Sequence, residues 1–350
     1  MGLHPQVAQG GCRWERVGDD HGVVHIENFR AKILMRQELL ARGVKESQLK
    51  LALREGRLHR LRPGAFVAGS DWDAAYAEER HLLKILAADA ARKGGDIVFS
   101  HLSAAAVHDL PLFRVSLPFV HTSGPRTDAV SRPKSGLAHH GVEIAPHDRD
   151  LVEQVPCTSL ERTVYDVIRS EVLETAVAIA DAAFRQVAWD PVRRRYDETV
   201  AESWRAGLNE RISRSPGARG IRQARWVSGF ADGRAQLPGE SVSRLYLVQL
   251  GFAAPRLQVP FVGPNGENWR IDFGIDDAGA WGEFDGLGKY TNPDMLNGRT
   301  AAEAVLGEKQ REDWIRGRSH RKFARWGMPH VASAEMLGAR LAKFSIVPPR

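Results

Sequence analysis

Asp272 lies in one apolar stretch, WRIDFGI, and Glu283 and Asp285 lie in the next, AWGEFDG, with the short turn Asp276, Asp277, Ala278, Gly279 between them. An Asp-Asp-Ala-Gly hairpin joining two adjacent strands would gather these three carboxylates at one edge of a sheet. Neighbouring carboxylates disfavour each other's ionised form, so such a cluster calls for a compensating cation. A divalent metal is the usual one. Hard oxygen ligands suit Mg2+ or Mn2+, ions that serve phosphoryl chemistry on nucleic acids.

The elements that must position these acids follow from apolar periodicity. LPGESVSRLYLVQLGF reads as a helix with Pro238 and Gly239 at its start, Val242, Leu245, Leu247, Val248 and Leu250 on its buried face, and Glu240 one turn from Arg244. RLQVPFVG, NWRIDFGI and AWGEFDG then read as a three-stranded meander. After a loop with Lys289 and Tyr290, EAVLGEKQREDWIRGRS reads as a helix and ARWGMPHVA as a final strand.

The chain has 350 residues, enough for two or three domains. Its formal charge of +6 and pI of about 9.5 make an acidic polymer a reasonable partner. Two cysteines, Cys12 and Cys157, fit a reducing compartment and exclude a disulfide scaffold or a thiolate zinc site. No apolar run approaches the roughly 18 to 20 residues that cross a bilayer, so a soluble, cytoplasmic protein is expected. Residues 1–30 lack sustained periodicity and are expected to form a disordered leader.

From Ala31 the pattern becomes orderly. Ile33, Leu34, Leu39 and Leu40 suggest one helix, Gly43 breaks it, and Leu49, Leu51 and Leu53 suggest a second, with Ser47 as a cap. REGRLHRLRPGAFV adds a hairpin around Pro63 and Gly64, the wing of a winged helix-turn-helix over residues 31–72. Between Arg36 and Arg62 stand eight basic residues against three acidic ones. Lys50, Arg54, Arg57, Arg60 and Arg62 are therefore the candidate contacts to double-stranded DNA, against the plainer reading of a solvated basic face.

Trp72 to Lys93 reads as one long helix stopped by Gly94 and Gly95. DIVFSHLSAAAVHDLPL reads as strand then helix, VSLPFVHTS and GVEIAPHD as strands around a basic loop, Gly124 to Gly136, and SLERTVYDVIRS and LETAVAIADAAFRQVA as helices. The result is a small mixed α/β domain over 73–190. His101, His108, His121, His139 and His140 are spread over different elements without ligand spacing, which favours surface or polar-core histidines over a metal site. Residues 191–235 read as a helical, arginine-rich connector.

The winged helix with its EGRLHRLRPGAFV hairpin, the SHLSAAAVHDLPL segment and the CTSLERTVYDVI helix, in that order, resemble the AbiEi-type antitoxin and transcriptional-regulator family over about residues 31–190. The resemblance implies operator-DNA binding, a second domain used in regulation or partner contact and, for full antitoxins, a nucleotidyltransferase-type toxin as partner. Residues 236–345, with E…RIDF…GEFDG…EKQRED…ARW, resemble the PD-(D/E)XK nuclease fold and, more narrowly, a small domain related to very short patch repair endonucleases found behind AbiEi-type regulators. The expected fold class is thus multi-domain α/β: winged helix, small α/β middle domain and restriction-endonuclease-like domain.

That second resemblance implies metal ligands at Glu240, Asp272 and Glu283, a further acid at Asp285, and Arg311 as the basic residue of the following helix. Asp285 stands where the nuclease lysine is expected, so the cation would have to come from Lys289, Lys309 or Arg311. The competing reading is an inactive fold whose acids cap loops or pair with Arg270 and Arg311. Two functions fit these residues: a DNA-binding regulator with a nuclease-like domain, and a Mg2+-dependent DNA endonuclease of phage-defence or mobile-element type. A protein that binds no nucleic acid would leave the basic wing and the acid cluster unrelated.

Overall fold

A computed structural model describes residues 25–92, 98–125, 136–286 and 301–349 and is mixed α/β throughout. Chain contacts divide these residues into two compact units, 25–167 and 168–349. Gly94, Gly95, Lys289 and most of the expected basic loop lie outside the described residues. No helix among the described residues is long and apolar enough to cross a membrane.

Unit one begins with α1 (Ile26–Arg30), β1 (Leu34–Met35), α2 (Arg36–Ala41), α3 (Glu46–Arg54), β2 (Leu58–Arg62) and β3 (Ala65–Ala68). Folded structure therefore reaches back into the expected leader: Ile26 is buried in the core with Leu82, Ile85 and Leu86, and Arg30 pairs with Asp89 at 3.4 Å. Ile33 and Leu34 do not belong to the first helix. Leu34 pairs with Phe66 in an antiparallel sheet ordered β1-β3-β2, because an apolar dipeptide serves a strand as readily as a helix and the long-range pairing decides. Gly64, at φ +85°, makes the turn between β2 and β3 that a side chain would strain.

The expected long helix is two, α4 (Gly69–Ala74) and α5 (Ala77–Ala90). Ala75 is extended, and the Tyr76 N–H donates to the Glu79 carboxylate at 2.8 Å, which caps a fresh start. Next come β4 (Val98–Phe99), α6 (His101–Val107), β5 (Val120–Ser123), β6 (Leu137–His140), β7 (Arg149–Val152), β8 (Val155–Thr158) and α7 (Leu160–Ser170), with the sheet ordered β6-β5-β4-β8-β7. The strand expected over GVEIAPHD falls earlier, at β6. The β7–β8 hairpin turns on Glu153 (φ +42°) and Gln154 (φ +67°), a left-handed pair that carries no Asn-Gly signature to announce it.

Unit two comprises α8 (Leu173–Ala188), β9 (Trp189–Asp190), β10 (Arg195–Tyr196), α9 (Glu198–Ser213), α10 (Ile221–Phe230), α11 (Pro238–Gln249), β11 (Arg256–Val262), β12 (Asn268–Ile275), β13 (Ala280–Asp285), α12 (Ala301–Ser319), β14 (Lys322–Gly327) and α13 (Ala334–Ala342). Residues 191–235 are more than a connector. Leu208, Ile212, Ala224 and Val227 are buried, and α9 and α10 pack on α8. Helix α8 is tied to α11 by a buried ion pair, Arg244 to Asp181 at 2.7 Å. Burial pushes the Asp181 carboxyl upward against the opposing pull of Arg244.

The sheet runs β11-β12-β13-β14, antiparallel through β13 and parallel between β13 and β14, with α12 as the crossover. Counted from α11, the order is helix, three strands, helix, strand. Phe273, fully buried and stacked on Trp326 at 5.3 Å, contributes about 2–3 kcal/mol of apolar burial. At Gly239 an added Cβ would sit 2.0 Å from the Phe284 ring, so α11 lies directly on β13 and carries Glu240 over the sheet.

Candidate functional site

The acids singled out from the sequence divide between two clusters in unit two. Glu240, on the first turn of α11, is buried and accepts from the Gln236 backbone N–H at 3.0 Å and from Gln258 Nε2 at 3.3 Å. The same Gln258 nitrogen reaches Asp272 Oδ1 at 3.2 Å, while Asp272 Oδ2 accepts the Phe284 N–H at 2.9 Å. One amide thus bridges two carboxylates. Gln258 does so from a left-handed backbone, φ +49°, at the place where the β11–β12 ladder passes from Leu257↔Phe273 to Val259↔Ile271. Non-glycine residues held there cost about 1–3 kcal/mol and cluster at sites of function.

Glu283, on β13, belongs to the second cluster. It is 3% exposed, and both oxygens are engaged: Oε1 by Arg311 at 2.5 Å and Oε2 by Arg325 at 2.7 Å. Arg325, on β14, also pairs with Glu308 at 2.8 Å and Glu312 at 3.2 Å, and stands 3.7 Å from Asp285. Burial opposes its charge, but Glu283, Asp285 and Glu308 outweigh that and raise its pKa further. Arg311 anchors α12 to the sheet by donating to the Arg270 carbonyl at 2.5 Å.

The three expected metal ligands are therefore not assembled as a set. Glu240 and Asp272 meet through Gln258, whereas Glu283 is taken by two guanidinium groups, and no three His, Cys, Asp or Glu among the described residues are arranged to hold a metal ion. The donor set as it stands does not fit Mg2+ or Mn2+, which require open oxygen ligands. Charge compensation comes from arginine. Of the candidate cations, Arg311 joins the cluster, Lys309 is exposed on α12, and Lys289 lies outside the described residues.

Sequence reasoning missed Gln258 and Arg325. Arg325 stands in a strand, Phe323-Ala324-Arg325-Trp326, where a charged residue between buried neighbours was the available signal. At the hairpin between β12 and β13, Asp276 is held well below the usual carboxylate range by hydrogen bonds from Arg256 and Arg321, so this acid too is compensated by arginine.

In unit one, Lys50, Arg54, Arg57 and Arg60 are exposed on α3, the turn after it and β2. Arg62 differs. Its guanidinium donates to the Ala88 carbonyl at 3.4 Å and burial lowers its pKa, so it faces the protein rather than a ligand. The histidines are less scattered than their spacing suggests: His101 stacks on His140 at 3.9 Å, and His121 Nδ1 lies 3.0 Å from His140 Nε2. Cys157 is buried in the core of unit one, 3.7 Å from His108 Nε2, its thiol pushed up to about 12 by burial and then by Asp150.

No family model matches the chain. Two uncharacterized proteins of Mycobacterium tuberculosis, Rv2248 of strain H37Rv and MT2308 of strain CDC 1551, are each 30% identical to it over 254 residues, 72% of this chain and 83% of the relative. The chain belongs to their family. A match of 254 residues exceeds either compact unit, so the family shares sequence from both.

Proposed function

We propose that the protein is a DNA-binding regulator of the AbiEi type that grips duplex DNA with the first part of unit one and carries a nuclease-like second unit. The supporting observation is the β1-β3-β2 sheet behind α2 and α3, with Lys50, Arg54, Arg57 and Arg60 exposed at the helix and hairpin that a winged helix-turn-helix presents to a duplex. A side chain or two of α3 would read base edges, and the arginines would fix its register on phosphates. Recovery of one enriched motif from a random duplex library passed over the full chain supports this reading, and recovery of no enriched sequence counts against it. A nucleotidyltransferase-type toxin as regulatory partner belongs to the same proposal.

For unit two, the order helix, three strands, helix, strand and the acids on β12 and β13 favour the PD-(D/E)XK reading of its fold. A Mg2+-dependent endonuclease is the second functional reading, and Asp272 and Glu283 on adjacent strands are what favour it. Arg311 and Arg325 occupy both oxygens of Glu283. Supercoiled plasmid with Mg2+ or Mn2+ separates the two. Nicking that Asp272→Ala abolishes establishes the endonuclease, and intact plasmid leaves the regulator.

A further inference from the structure

Unit two contains a cavity of about 280 Å³ walled by the end of α8, the β9–β10 hairpin, the segment before α11, and strands β11 and β12. Four arginines line it, Arg185, Arg195, Arg234 and Arg270, against a single carboxylate, Glu198. That carboxylate is already committed, since it pairs with Arg234 at 3.2 Å, and Arg234 is further held by Asp232 at 2.7 Å. Arg195 and Arg270 are exposed and make no ion pair among the described residues, and Arg270 donates to the Gln258 carbonyl at 3.2 Å. Arg185 lies over the Trp189 ring at 4.2 Å, a guanidinium held flat on an indole.

A concave, arginine-lined site with an aromatic plane has the chemistry of phosphate recognition beside base stacking. We propose that this cavity binds one nucleotide, its phosphate held by Arg195 and Arg270 and its base laid on the Arg185–Trp189 stack. The volume, about 280 Å³, is at the small end for ligand sites. The ligand is either a free nucleoside monophosphate or the phosphorylated end of a DNA strand.

Gln236 and Gln258, which line the cavity, are the same residues that hold Glu240, and Gln258 also holds Asp272. A nucleotide in the cavity therefore lies against Gln258, whose side-chain amide bridges the acid pair, and against Gln236, whose backbone N–H holds Glu240.

Calorimetric titration of the full chain tests this with five probes: 2′-deoxyadenosine 5′-monophosphate, 2′-deoxyadenosine, inorganic phosphate, and a trinucleotide with and without a 5′-phosphate. The monophosphate is expected to bind and the nucleoside to give no heat. Arg195→Ala and Arg270→Ala should each weaken the monophosphate about tenfold, the worth of one charge-assisted hydrogen bond. Arg195 is exposed, so its removal leaves folding intact, and the thermal midpoint of each variant checks this. Trp189→Leu should weaken the monophosphate more than inorganic phosphate. Tighter binding of the trinucleotide only when it is phosphorylated assigns the site to strand ends, and equal or better binding of the monophosphate assigns it to free nucleotide. Absence of binding by every phosphate-bearing probe at millimolar concentration, or unchanged affinity in the Arg195→Ala, Arg270→Ala double variant, overturns the proposal. These probes are too short to engage a winged helix, so the result stands apart from duplex binding.

Discussion

Arg325 donates to Glu283 Oε2 at 2.7 Å across the parallel register in which these two residues are direct partners on β13 and β14. The pair sits at the centre of a network that also takes in Arg311, Glu308 and Glu312. A carboxylate expected to hold a metal is instead the hub of an arginine cluster. That relationship separates the fold of unit two from the chemistry its acids suggest.

Removing Glu283 leaves Arg311 without its carboxylate partner and Arg325 with one fewer. Glu283→Ala is expected to cost about 3 kcal/mol, the scale for breaking a desolvated ion pair. Replacing Arg311 by Met in the same chain should recover part of that loss, because the stranded charge goes with it. Urea unfolding of the single and double variants measures both. A double variant less stable than Glu283→Ala would show that Arg311 acts by packing over Trp269, 5.8 Å away, rather than by charge.

Gln258 makes two contributions of opposite sign. Its amide satisfies Glu240 and Asp272, and its backbone is held at φ +49°. Gln258→Ala forfeits the hydrogen bonds and keeps the strain, for a loss of about 1–3 kcal/mol. Gln258→Gly forfeits the same bonds but relieves the backbone, so it should be the milder change by about 1 kcal/mol. Equal losses in the two variants would mean that the left-handed geometry carries no strain.

Much of this site is legible in the amino-acid sequence. The Asp-Asp-Ala-Gly turn and the apolar alternation on either side placed Asp272 and Glu283 on adjacent strands, since local periodicity and turn chemistry determine a hairpin. Gln258 and Arg325 were not legible, because their roles depend on non-local facts. One needs the kink opposite Asp272, and the other needs the parallel pairing that α12 makes possible. The same distinction holds in unit one. The β2–β3 hairpin follows from Pro63-Gly64, whereas β1 exists only because β3 is there to receive Leu34 and Met35.

The histidines of unit one predict an acid sensitivity. His81 is pushed down from 6.5 to about 3 by burial, with Lys84 and His121 nearby, and His121 is pushed down from 6.5 to about 4 by burial and by His140. Both folded values lie below the unfolded one, so at intermediate pH the unfolded chain binds more protons. The stability these neutral rings confer is complete above pH 6.5 and is lost as pH falls through about 4 for His121 and about 3 for His81. Thermal melts at pH 7 and pH 4.5 should differ less in His121→Gln than in the unaltered chain. An identical drop in both would place the acid sensitivity elsewhere.

Duplex binding by the wing is most directly tested by fluorescence anisotropy of a labelled DNA duplex titrated with the full chain at several salt concentrations. Arg57 and Arg60 are exposed, and each phosphate contact adds about 0.9 to the slope of log K against log salt. The Arg57→Ala, Arg60→Ala double variant is expected to bind more weakly, with a slope shallower by about 2, whereas Arg62→Ala, whose guanidinium faces Ala88, should keep the slope of the unaltered protein. An unaltered chain that fails to bind duplex, or a double variant with an unchanged slope, would contradict the assignment of the wing as the DNA contact.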